Sequence, residues 1–153
     1  MIISMSHQQL PTTQAAVTAV REIARRENLE IRVTDDIGAD RSARRSGAGA
    51  FSVADPDGSL PHEAYVELGG SPAVEIELYS EGDAKIIVDG VEFHDVPRDS
   101  VPAFLDSVYR GLVRVKTRFL QRWLIVSLPG DETYRELVPG TNFSPWLARQ
   151  VGR

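Results

Sequence analysis

The sequence predicts an α+β fold: a single domain in which an antiparallel meander of about five to seven strands carries helices on one face, in the order α-β-(loop)-βββ(β)-α-ββ-α. Three observations lead to it. Residues 62–68 and 73–79 alternate, with Ala64, Val66, Leu68, Val74, Ile76 and Leu78 against Glu63, Tyr65, Glu67, Glu75, Glu77 and Tyr79, the period of strands buried on one side. Asp89-Gly90 lies between Ile86-Ile87-Val88 and Val91-Glu92-Phe93, a dipeptide that accepts the positive φ of a two-residue hairpin. Val101, Phe104, Leu105, Val108, Tyr109 and Leu112 then recur at helical spacing.

Taken in order, residues 1–12 read as a flexible leader and residues 13–153 as the domain. Thr12 or Thr13 caps a helix that runs to Glu27, with Ala16, Val17, Val20, Ile23 and Ala24 on one face and Arg21, Glu22, Arg25 and Arg26 around the rest. Leu29, Ile31 and Val33 alternate with Glu30, Arg32 and Thr34 as a short half-buried strand. From 35 to 61 the pattern dissolves into a mobile loop holding Arg44 and Arg45, longer than compact domains usually carry without a use. Gly69-Gly70-Ser71-Pro72 turns the meander. The tight turn at Asp89-Gly90 pairs Val88 with Val91 and Ile86 with Phe93 on one face, leaving Lys85, Ile87, Glu92 and His94 on the other. Asp99 or Ser100 caps the second helix, which has Pro102 in its first turn and Gly111 at its end. Val113, Val115, Thr117 and Phe119 alternate with Arg114, Lys116 and Arg118. The almost uninterrupted apolar run from Trp123 to Leu128 predicts a central strand covered on both faces. Glu132 to Val138 completes the sheet as an edge, and Ser144-Pro145 opens a short helix docked by Trp146.

A chain of 153 residues buries roughly 70% of the surface its unfolded form exposes, so it needs no staple. Cysteine is absent, which excludes disulfides, sulfur-bound zinc and thiolate nucleophiles and fits a cytoplasmic setting. No apolar run approaches the ~20 residues of a membrane span. The net charge of -5 opposes general affinity for nucleic acid or an anionic membrane, so neither is an expected partner.

The charges are segregated. Between Glu63 and Asp83 there are six acids and no Lys or Arg; between Arg110 and Arg122 there are five bases and no acids. Period two puts Glu75 and Glu77 on one sheet face, and likewise Arg114, Lys116 and Arg118, in each case away from the core. Two arrangements satisfy this: neighbouring strands whose ladders neutralise each other, or separated strands presenting an acidic and a basic region that orient a partner. Tyr65 and Tyr79 would supply aromatic contacts in the second arrangement, while Trp123 is expected mainly in the core. Arg44 and Arg45 would add a basic loop.

Catalytic constellations fail on mechanism. Gly69-Gly70-Ser71-Pro72-Ala73 comes one residue short of a nucleophile elbow, but Pro72 has no N–H for an oxyanion and a strand follows. His62-Glu63 lacks the second histidine of a zinc-protease helix, since Val66 stands there. His7, His62 and His94 belong to different elements, and His94-Asp95 reads as a solvated hairpin end. Asp55-Pro56-Asp57-Gly58 is a turn rather than a calcium loop, and Gly47-Ala48-Gly49 lacks the rest of a phosphate cradle. No catalytic residue, cofactor or metal is expected.

The order helix, strands, helix, two strands, helix resembles that of the small chaperones of bacterial secretion systems and related α+β binding proteins. The resemblance implies a non-catalytic module that binds another protein, or a second copy of itself, as a secretion chaperone or a toxin-neutralising immunity protein does. The alternative is a small-molecule binder or enzyme with a pocket between sheet and helices, its polar groups drawn from His62, His94, Tyr65 or Asp131.

Overall fold

A computed structural model describes residues 9–35, 63–140 and 143–151. Helix α1 (Thr13–Glu27) starts at Thr12, whose hydroxyl accepts from the Ala15 N–H at 3.0 Å, and stops at Asn28, in the left-handed region with φ 58°. The meander follows as β1 (Ile31–Asp35), β2 (Ala64–Leu68), β3 (Val74–Leu78), β4 (Asp83–Val88) and β5 (Val91–Pro97). A 3-10 turn (Arg98–Ser100) leads into α2 (Val101–Tyr109), then β6 (Val113–Arg118), β7 (Gln121–Ser127), β8 (Thr133–Leu137) and α3 (Pro145–Arg149). The fold is α+β, as the alternation predicts. Its eight described strands form two antiparallel sheets, β1-β2-β3-β4-β5 and β6-β7-β8.

The second sheet is separate because α2 intervenes after β5, and the chain returns with β8 beside β5 instead of adding a sixth rung to the meander. Helix α2 joins the two layers. Phe104 makes edge-on ring contacts with Phe93 of β5 at 5.1 Å and with Tyr134 of β8 at 5.5 Å. Such pairs add about 0.5–1.5 kcal/mol each to the area they bury. Ser107 donates to the carbonyl of Ser127 at 2.6 Å, and an ion pair between Arg26 and Asp106 ties α1 to α2. One apolar cluster runs through both sheets and all three helices, including Val20, Val66, Ile76, Ile86, Phe93, Phe104, Leu124 and Leu147.

The opening hairpin has the predicted register, Val88 opposite Val91 and Ile86 opposite Phe93, with all four buried. Asp89 and Gly90 take φ 47° and 89°, the paired left-handed values that match strand twist. Asp89 also braces the fold: its carboxylate accepts from the Ala73 N–H at 2.8 Å and from the hydroxyl of Ser144, which in turn caps α3 through the Leu147 N–H at 3.1 Å. Further along β5 the ladder slips, so that His94 and Asp95 together oppose Lys85. Strict alternation after Phe93 would drive Asp95 inward. The bulge, with Asp95 at φ 57°, leaves this carboxylate exposed and returns Val96 to the core.

The described part of the N-terminal segment is tied down. Leu10 is only 3% exposed; its N–H donates to Asp99 at 2.7 Å, and Arg98 donates to the carbonyls of Leu10 and Pro11, each at 2.9 Å. Asp99 is thereby committed to Leu10, and Ser100 takes the N-cap position of α2 without a side-chain cap bond. Leu112, expected to continue the apolar face of α2, lies past the helix and is exposed. The chain after α3 returns to the first strand of the second sheet: Val151 forms a parallel bridge with Val115, whose N–H donates to the Gln150 carbonyl at 3.0 Å. Most of the loop expected at 35–61, with Arg44 and Arg45, lies outside the described residues, as does His62.

Candidate functional site

The two charge ladders occupy different sheets. Glu75 and Glu77 are on β3, and Arg114, Lys116 and Arg118 are on β6. Mutual neutralisation across adjacent strands is therefore excluded, and each ladder has its own environment.

The acidic ladder is satisfied locally. Glu75 faces Glu67 directly across β2 and β3, an unfavourable like-charge position. It is offset by Arg32 at 3.3 Å from Glu67 and by the Tyr65 hydroxyl, which donates to Glu75 at 2.6 Å. Tyr79 donates to Glu77 at 2.6 Å, and Lys85 lies between Glu77 at 4.0 Å and Glu92 at 3.7 Å. The hydrogen bond to Glu75, then desolvation, then the surrounding carboxylates push the Tyr65 phenol up to about 12. Burial, followed by the bond to Glu77, raises Tyr79 as well. Tyr65, Tyr79, Glu75 and Glu77 thus form a half-buried, self-paired network.

The basic ladder is different. Arg114, Lys116 and Arg118 are exposed on the outer face of the second sheet, and among the described residues no carboxylate pairs with them or with Arg135. Cross-strand register sets Arg114, Ile125 and Arg135 in one row and Lys116, Trp123 and Leu137 in the next. The result is a shallow groove of about 320 Å³, floored by Trp123 and Ile125 and bordered by four cations. Period two brings these side chains to one face, as expected of β6, whereas Arg135 joins them from β8 and was not singled out by the sequence. Trp123 departs from the core expectation. It stands half-buried in the groove, on the face of β7 turned away from the main apolar cluster. Ile125 on that face is 6% exposed yet outside the main apolar cluster; its strand neighbours are Arg114 and Arg135, whose aliphatic stems suit such a roof.

At the end of the groove the predicted alternation breaks. β6 ends at Arg118, and Phe119 with Leu120 forms a two-residue turn at φ 52° and 66°. Phe119 is 85% and Leu120 98% exposed. The Arg118 guanidinium lies over the Phe119 ring at 5.6 Å, while Arg122 stacks on Phe143 at 4.1 Å.

Of the polar groups suggested for an internal pocket, the three among the described residues do not converge. Tyr65 is on the outer face of the first sheet, His94 is exposed beside Glu92 at 3.3 Å, and Asp131 is in an exposed turn. The space between that sheet and the helices is filled by Val66, Ile76, Ile86, Phe93, Val20 and Phe104. Ser71, in its turn, is followed by β3. Among the described residues no three His, Asp or Glu side chains gather as metal ligands do, and no helix is long and apolar enough to cross a membrane. Compared with protein-family models, with curated proteins and with solved structures, the chain matches none.

Proposed function

We propose that this protein is a non-catalytic binding module of the cytoplasm that holds an acidic segment of another protein on the outer face of β6-β7-β8, in the manner of a secretion chaperone or a toxin-neutralising immunity protein. One observation carries the reading: the carboxylates of the acidic ladder have partners within the fold, whereas Arg114, Lys116, Arg118 and Arg135 have no carboxylate partner among the described residues. Four cations on one face repel one another, and an acidic ligand relieves that repulsion while Trp123 supplies the aromatic contact favoured at interface centres. Glu75, Glu77, Tyr65 and Tyr79 then serve the fold and its solubility.

The test is affinity capture from the native cell with the wild-type chain and with R114E/K116E/R118E, at low and high salt. The wild type should recover a partner with an acidic surface, and that partner should be lost both in the reversed variant and at high salt, with the circular dichroism of the variant unchanged. Equal recovery by the two proteins, or recovery of nucleic acid in place of a protein, refutes the reading.

A further inference from the structure

The tip of the β6-β7 hairpin is built against its own stability. Two-residue loops with both positions at positive φ select Asn-Gly and similar pairs, because other side chains crowd the backbone there. This chain instead places Phe119 and Leu120 at φ 52° and 66°, 85% and 98% exposed. A single exposed apolar side chain is ordinary. Two in succession, at the far end of a hairpin and in a conformation that disfavours both, imply something that receives them.

We propose that this tip enters the surface of an anionic lipid bilayer end-on, with Phe119 and Leu120 below the headgroups and Lys116, Arg118 and Arg122 among the headgroup phosphates. The placement of charge favours a bilayer over a folded protein. Arg118 pairs with Gln121 and Thr117 with Arg122, so Arg118 and Lys116 are on one face of the hairpin and Arg122, exposed and stacked on Phe143, is on the other. Cations flank the tip on both sides, where a bilayer entered end-on meets them all; a flat protein patch would engage one side. No Asp or Glu occurs from Arg110 to Gly130. The net charge of -5 opposes a general attraction to anionic surfaces, but it is unevenly distributed: the acidic ladder belongs to the other sheet and is paired there, away from the tip. Screening limits an exposed charge to roughly 8 Å at physiological salt. Apolar insertion and basic attraction are the two weak signals that together hold a protein reversibly at an anionic surface.

This inference goes beyond the partner reading: it adds the Phe119-Leu120 tip and shares Lys116 and Arg118 with the groove. The experiment is co-sedimentation of the full chain with vesicles of phosphatidylcholine alone or with 30% phosphatidylserine. The wild type should partition onto the phosphatidylserine vesicles at least tenfold more strongly than onto phosphatidylcholine. F119N/L120G, which suits the turn and so stays folded, should lose at least tenfold. F119W should shift its emission to the blue when phosphatidylserine vesicles are added. R114E/R135E, which alters the groove away from the tip, should still bind. The proposal is overturned if the wild type does not bind phosphatidylserine vesicles, if F119N/L120G binds as well as the wild type, or if R114E/R135E loses as much as F119N/L120G. None of those results bears on capture of an acidic protein by the groove.

Discussion

Replacing Phe119-Leu120 by Asn-Gly should make the protein more stable, although it removes two large apolar side chains. At 85% and 98% exposure those side chains contribute almost no burial. Their backbones, at φ 52° and 66°, carry the left-handed penalty, roughly 1–2 kcal/mol for each ordinary residue. Asparagine reduces that penalty and glycine removes it. Against the gain stand about 0.5–1 kcal/mol for the extra freedom glycine gives the unfolded chain. Loss of the exposed Arg118–Phe119 contact costs about 0.5 kcal/mol more. The balance is a gain of about 1 kcal/mol, and for a chain of this size that raises Tm by roughly 2–4 °C. Calorimetry and urea titration of F119N/L120G beside the wild type measure it directly. A fall in Tm would show that Phe119 and Leu120 support the fold through contacts, and the strain argument would fail. The Asp89-Gly90 turn provides the reverse control: Gly90→Ala, at φ 89°, should destabilise by about 1 kcal/mol or more.

Two further outcomes follow from the structure. Arg98→Ala removes both donors to the Leu10 and Pro11 carbonyls, bonds at partly exposed positions worth about 1–3 kcal/mol together; amide exchange at residues 9–12 should rise well beyond that in α2, and equal protection in the two segments would contradict the pinning role. The Tyr65 phenol is held up to about 12 in the fold against its ordinary value of 10, so its contribution is complete below pH 10 and is lost as pH rises towards 12. Urea midpoints measured from pH 9 to pH 12 should therefore fall less steeply for Tyr65→Phe than for the wild type, and parallel slopes would remove the Glu75 bond as the cause.

The elements visible beforehand are those in which local chemistry and burial pattern agree. Val88, Asp89, Gly90 and Val91 specify turn, register and face together, and Ser144-Pro145 marks its helix by cap chemistry alone. What escaped was set by tertiary context. Phe119 continues the period of Val113 and Val115, so periodicity alone puts it in the strand; nothing in Phe-Leu announces a turn, because that pair contradicts the turn's own preference. Trp123 through Leu128 reads as doubly buried because its apolar run does not reveal that its outer face lines a groove bordered by arginines. The site was half legible for the same reason. Alternation in β6 brings Arg114, Lys116 and Arg118 to one side, but only the three-strand register adds Arg135 and Trp123, and only the division into two sheets separates this face from Glu75 and Glu77.

The parallel bridge between Val151 and Val115 has a consequence for how copies of this chain coexist. An uncovered outer strand offers its amides and carbonyls to any neighbour able to extend the ladder, which is the usual start of edge-to-edge aggregation. Here the segment after α3 occupies part of that position, and the long basic side chains of β6 discourage what remains. Removing residues 150–151 should leave the apolar interior largely intact while unblocking the strand, so the first symptom to expect is loss of solubility at high concentration rather than loss of melting cooperativity.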